Sequence, residues 1–215
     1  DSDGGNQDII IDQTNVPFGS WAHYAISYDG RGGATAYQGM KIYINGTEMT
    51  PDTFTADAGY VCMETQGSGA FNIGSSGTGS RLNGSLDEFA LFDYELSKGQ
   101  VTAHYERGSG IRSPNSVLAA QPEAYWRFGE SEGTTAHDIS GNGHDGVYEN
   151  INLNHTGALI SQSSPDGDNA IYSTNSTEIF SAPLSETSFL NGATAASMSV
   201  WIKPNSTSSR SYLRS

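Results

Sequence analysis

Four stretches of this chain alternate their side chains with a period of two, and each breaks off near glycine, asparagine, aspartate or proline. In residues 21–29 (WAHYAISYD), Trp21, His23, Ala25 and Ser27 fall on one face and Ala22, Tyr24, Ile26 and Tyr28 on the other. Apolar groups on both faces mark an inner strand of a sandwich. Residues 40–45 (MKIYIN) form a second strand, and the Asn45-Gly46 pair at its end is the strongest short hairpin signal in the chain. Residues 84–94 set Leu86, Glu88, Ala90 and Phe92 against Asp87, Phe89, Leu91 and Asp93. Residues 197–204 set Met198, Val200 and Ile202 against Ser199, Trp201 and Lys203. Shorter strands are expected at residues 8–12 and 71–74. One short helix follows the third long strand. Ser97 with Gln100 three residues later fits a capping box, Val101 and Tyr105 share a face, and Gly108 ends it.

Composition agrees with many short strands joined by turns. Of 215 residues, 35% are hydrophobic and 16% charged, with 26 glycines and 11 tyrosines, so one sandwich-sized domain or two small ones is expected. The formal charge is −14, from 24 acidic against 10 basic residues, which repels phosphate backbones and argues against a nucleic-acid partner. The lysines are confined to Lys41, Lys98 and Lys203, a balance suited to a calcium-rich or salty exterior. No apolar run approaches the length of a membrane span. Cys62 is the only cysteine, which rules out an internal disulfide; it reads as a small apolar residue buried in the run 60–63, with an intermolecular bridge as the alternative. Without a start methionine or secretory signal, the chain reads as a mature product or a piece of something longer.

Residues 123–148 (EAYWRFGESEGTTAHDISGNGHDGVY) combine an aromatic strand with a long polar turn. Tyr125 and Arg127 point one way, Trp126 and Phe128 the other, and Val147-Tyr148 re-enters a sheet. Asp138 opens the run Asp138-Ile139-Ser140-Gly141-Asn142-Gly143, where its carboxylate either holds the turn or holds a cation.

This stretch resembles the opening of a laminin-G-like domain, of the concanavalin A-like jelly-roll superfamily, with its aromatic strand and D-x-SGNG turn. Residues 21–105 resemble the second half of the same kind of domain: W-x-H-x-A…YDG, K-I-Y-I-N-G, F-N-I-G, then G-S-L-D-E-F…L-S and a closing helix. The halves stand in inverted order: residues 1–107 look like the C-terminal half, 108–116 a linker, and 117–215 the N-terminal half. The fold implied is all-β, an antiparallel two-sheet jelly-roll sandwich.

Half a jelly roll leaves unpaired strand edges and an uncovered apolar face, so each half needs completing. Either residues 117–215 fold onto residues 1–107 of the same chain, as a circular permutation, or each half joins a half from a neighbouring copy in a tandem array or fibre. Reading Ser215 into Asp1 gives a continuous strand–turn–strand, so the array is favoured. The function implied is an extracellular or cell-surface structural or adhesive module, a repeat of a surface fibre or adhesin whose partners are further copies of itself. A carbohydrate-binding lectin-like module, accessory to a secreted enzyme or free-standing, is the alternative.

The resemblance implies a structural calcium near the opening turn, with Asp138 matching the family's turn aspartate and Asp87 and Glu88 its "DE" strand; the alternative is that Asp138 caps the turn and the others face solvent. Asp1 and Asp3 imitate the start of a calcium loop, but the glycine falls too early and no glutamate closes it. Asp166 and Asp168 form a second acidic loop, read as a solvated turn. Sequons for N-glycosylation occur at Asn45, Asn83, Asn154, Asn175 and Asn205, of which the first two precede glycine and are explained by turn geometry. Trp21, Trp126 and Trp201 lie inside strand patterns, which favours core packing over a sugar platform, and His23 reads as a structural histidine. The E-x-D-x-E strand of glucanase relatives is missing, as are a nucleophile–histidine–acid grouping and a nucleotide loop, so a non-enzyme is expected.

Overall fold

The computed structural model describes residues 8–10, 15–56, 71–73, 82–108, 116–159, 168–174, 179–182 and 194–205. In chain order these contain β1 (Asp8–Ile10), β2 (Ala22–Tyr28), a 3-10 helix (Gly33–Gly39), β3 (Met40–Ile44), β4 (Thr47–Glu48), β5 (Thr53–Thr55), β6 (Phe71–Ile73), β7 (Asn83–Phe92), α1 (Lys98–Gly108), α2 (Ser116–Ala119), β8 (Ala124–Trp126), β9 (Thr135–Ala136), β10 (Gly146–Glu149), β11 (Asn152–Thr156), β12 (Asn169–Thr174), β13 (Ile179–Ala182) and β14 (Ala196–Pro204). The expectations for Asp1, Asp3, Cys62, Asp166 and Asn175 lie outside the described residues.

Two antiparallel sheets face each other. The larger runs β11-β12-β7-β14-β2-β3-β4, with β8 also on β7, and the smaller runs β6-β13-β10-β9. A separate ribbon pairs β1 with β5. At the middle of the large sheet, β14 lies between β2 and β7, with Ser199 opposite Ala25 on one side and Ala90 on the other. The hairpin from β3 to β4 turns at Asn45 and Gly46, both at positive φ (50° and 74°), as a type I′ turn requires.

Strands from the two ends of the sequence therefore share both sheets. β14, β12 and β8 flank β7 in the large sheet, and β13 pairs with β6 in the small one. The sandwich closes within one chain. Of the two arrangements left open by the sequence, the single chain adopts the one in which the edges that need partners find them in the same polypeptide.

The main core lies between the sheets, where Phe89, Leu91, Trp126, Phe128 and Val200 meet Tyr148, Phe180 and Ala182. A second apolar layer lies on the outer face of the large sheet, where Ala25, Tyr43, Ala90, Phe92 and Tyr125 are covered by Leu96, Val101 of α1 and Val117 of α2. The capping box starts α1 as its sequence requires: Ser97 Oγ accepts the Gln100 N–H at 3.3 Å, and Gln100 Oε1 accepts the Ser97 N–H at 3.0 Å.

The alternation expected along residues 84–94 fails at one place. Leu86, Phe89 and Leu91 all face the inter-sheet core while Ala90 and Phe92 face α1, so an extra residue enters at Asp87–Glu88. The ladder from β14 shifts register there, between Ser199 and Trp201, and Glu88 has φ 53°. This is a β-bulge, which no count of apolar residues in the sequence shows. The aromatic strand also stops at Trp126, two residues early, because Phe128 turns to φ 58°; its ring is buried in the core all the same.

Gly30 ends β2 at φ 82°, and a Cβ placed there would overlap the Thr194 carbonyl just before β14. Gly30→Ala is expected to cost about 2–4 kcal/mol, because a backbone carbonyl cannot move aside as a side chain can. Gly19→Ala, with positive φ (70°) but open space around it, is expected to cost only about 1 kcal/mol. Urea denaturation of the two variants checks the difference.

Candidate functional site

Two strands lie end to end along one edge of β7. β12 pairs with residues 83–86 and β8 with residues 89–91, so Asp87 and Glu88 fall between the two ladders. Asp87 is 1% exposed and its Oδ2 accepts the Ala158 N–H at 2.7 Å. Glu88 Oε1 accepts from Arg127 Nε at 2.8 Å, in a pair whose carboxylate side chain is 3% exposed. The Asp168 carbonyl takes the Gly157 N–H at 2.8 Å, which holds that loop's ends beside Asp87. Glu88, Phe128 and Asp168 all have left-handed backbone (φ 53°, 58° and 56°), so one member of the ion pair, the residue after the other member, and the acid facing Asp87 are each strained.

The electrostatics follow from burial. Removal from water pushes the Asp87 carboxyl well above the usual carboxylate range; the Glu88 charge adds to this, the Ala158 N–H opposes it, and Asp168 and Arg127 act more weakly in opposite directions. Arg127 offsets the Glu88 charge in the interior, where losing one partner strands the other. The acidic loop residue Asp168 thus belongs to this cluster and is half-buried, where the sequence suggested a solvated turn.

The second polar centre is the turn after β8. Asp138 Oδ1 accepts the N–H groups of Tyr125 and Ser140, both at 2.9 Å, and its Oδ2 accepts the His144 N–H at 2.9 Å and the Ser140 hydroxyl at 2.8 Å. Asp138 N–H in turn donates to Asp145 Oδ1 at 2.8 Å. The buried Trp126 indole donates to the His144 carbonyl at 2.8 Å, tying the turn to the core. Nearby, Tyr148 OH donates to Glu130 Oε2 at 2.6 Å, and burial followed by that carboxylate pushes the phenol's pKa up.

Residues 1–102, just under half of the chain, match the family model Laminin_G_3, of the concanavalin A-like lectin/glucanases superfamily. That segment is similar to laminin-G-like domains. No curated protein and no solved structure matches the chain. The antiparallel two-sheet sandwich is the fold of this superfamily, whose laminin-G members are typically non-enzymatic binding modules.

The laminin-G resemblance implied a calcium ion shared by Asp138, Asp87 and Glu88. Asp87 and Glu88 come together at the bulge, while Asp138 sits on the turn with both oxygens engaged by four protein donors. Among the described residues no group of three or more His, Cys, Asp or Glu side chains is disposed to hold a metal. As placed, the three do not fit a common calcium site; protein N–H and O–H groups hold the turn. The sequons separate by environment. Asn45 spends its Oδ1 on the His23 N–H at 2.9 Å and Asn83 is half-buried at the start of β7, whereas Asn154 and Asn205 are exposed. Trp126 is in the main core, Trp201 is buried on the outer face and Trp21 is half-buried. The sequence reading missed Arg127 as the partner of Glu88. A lone arginine inside an aromatic strand was its signal, since a buried guanidinium needs a carboxylate.

Asp138→Ala is expected to lower stability by about 2 kcal/mol, because the donors it satisfied lose their acceptor, while a chelator leaves the wild-type Tm unchanged. Calorimetry of both proteins with and without EDTA checks this. At Asp87 the folded pKa is raised, so the stability tied to its neutral form is present at low pH and is lost as pH rises through the folded value. Asp87→Asn keeps an acceptor for Ala158 without ionising. Its Tm relative to wild type is expected to climb from pH 5 to pH 8, and a falling difference would contradict the assignment.

Proposed function

We propose that this chain is a non-catalytic extracellular adhesive module, a laminin-G-like sandwich built from permuted halves and carried in a larger surface protein. The match of residues 1–102 to that family carries the reading. Two further observations support it. Four side chains of types used in catalysis are committed to architecture: Asp87 and Glu88 are buried at a bulge, and His23 and His104 between the large sheet and α1. No helix among the described residues is long and apolar enough to cross a membrane. In this reading the sequence's expectation of a repeated surface element is kept, with each unit closing on itself rather than on its neighbour.

Carbohydrate binding is the second reading, favoured by one surface feature. Phe54 is 56% exposed and stacks on Tyr37 with ring centroids 4.1 Å apart and planes within 3°. Sugar rings bind such flat aromatic faces when polar groups lie alongside, and Gln38 and Thr53 flank this pair in sequence.

The protein immobilised on a surface and challenged with matrix proteins and a glycan array tests both readings. Retention of a matrix protein, unchanged by Phe54→Ala, supports the adhesive reading. Retention of a glycan that Phe54→Ala abolishes supports the lectin-like one. Chemical turnover of any retained ligand would contradict both.

A further inference from the structure

The outer face of the large sheet hides a polar pair beneath α1. His23 projects from β2 and His104 from α1, and both rings are buried, 1% and 2% exposed. They converge on one hydroxyl from β14: Ser199 Oγ lies 2.8 Å from His23 Nε2 and 3.3 Å from His104 Nδ1. The imidazoles meet edge to face at 6.5 Å. Aromatic rings enclose them, with Trp201 at 5.4 Å and Tyr105 at 6.3 Å from His23, and Phe92 stacked at 5.6 Å from His104.

The proton count at this contact fits two neutral rings. A serine hydroxyl donates one hydrogen, so one imidazole gives its N–H to Ser199 while the other accepts from it. If both rings are protonated, every ring nitrogen carries a hydrogen and the hydroxyl proton loses its acceptor. His23 Nδ1 has no hydrogen-bond partner among the described residues, so a proton added there has nowhere to donate. Among the described residues the side chains against the His23 ring are Ser199 and Trp201 from β14 and His104 and Tyr105 from α1, none of them a carboxylate. Burial first and the His104 charge second push the His23 pKa down to about 3. A neutral ring is therefore built into the docking of α1.

We propose that α1 is an acid-released cover: protonation within the His23–His104 pair detaches the helix from the large sheet and uncovers the apolar face formed by Ala25, Tyr43, Ala90 and Phe92. The inter-sheet core lies on the opposite side of the sheet, and among the described residues His23 and His104 are the only buried histidines, so the sandwich outlasts the helix's departure. The sign follows from linkage. The folded pKa of His23 lies below its unfolded value of about 6.5, so the docked state is fully stable above that pH and weakens as pH falls towards 3. For one ring the docking equilibrium shifts about tenfold per pH unit, or about thirtyfold at pH 5. An apolar face uncovered in acid gives the module a surface it lacks at neutral pH.

Hydrogen exchange followed by mass spectrometry, corrected for intrinsic rates, tests this on the whole chain at pH 7.5 and pH 5. The expected result is about thirtyfold lower protection of α1 amides at pH 5, with β7 and β14 unchanged and with binding of an apolar dye rising in parallel. His23→Gln keeps a side chain that donates and accepts but does not ionise, and is expected to abolish the pH dependence. Should that variant fail to fold, Ser199→Ala, which removes the shared hydroxyl, is expected to raise the pH at which α1 is released. Equal protection of α1 at both pH values, loss of α1 and β7 protection together, or an unchanged pH dependence in the variants would each overturn the proposal.

Discussion

The pairing of β14 with β7 and β2 is the interaction on which the rest of this molecule depends. β14 lies at the far end of the chain and β2 near its beginning, yet the two are matched residue for residue from Ala196–Tyr28 to Ile202–Ala22. Without β14, two strands of the large sheet face each other across an empty place, and the inward side chains of Val200 and Ile202 are missing from the core. Such a gap leaves unpaired N–H and C=O groups in the interior, which a folded protein does not tolerate. The closing ladder has a loop-closure cost that grows only slowly with chain length, so remote strands carry little penalty once their side chains fit.

Around that ladder, polar groups are buried only where the backbone departs from regularity. The bulge at Asp87–Glu88 marks the change from β12 to β8 along one edge of β7, and Arg127 closes it. The turn after β8 is held by one carboxylate that gathers four donors. The helix–sheet contact has a serine hydroxyl shared by two imidazoles. In each place protein groups supply the hydrogen bonds or ion pair described above, with His23 Nδ1 left over at the third.

Much of this was legible in the residues. β2, β3 and β14 alternate cleanly because one side meets the other sheet and the other meets α1. Asn45-Gly46 demanded its hairpin, and Ser97 with Gln100 its helix start. Several strands that went unread, among them β5, β9, β11 and β13, are short or polar: all but one of the β11 residues are exposed, so no apolar period marks it. The bulge was illegible because the alternation looks intact through Asp87 and Glu88; Arg127, thirty-nine residues from Glu88, and the Ala158 N–H on Asp87 make two adjacent buried carboxyls tolerable. His104 was legible in principle, since it lies three residues beyond Val101 on the same helical face, but its partner Ser199 sits far off in sequence. Which copy completes the sheets was not legible, because a linker permits either and only strand register decides.

Sedimentation equilibrium combined with near-ultraviolet circular dichroism, on samples diluted from high to nanomolar concentration, tests single-chain closure most directly. If one chain supplies all its own strands, the mass stays at 22.8 kDa and the aromatic signal stays native at every concentration. A folded signal that appears only in oligomers and fades on dilution would show that the strands are exchanged between copies, and would contradict the account.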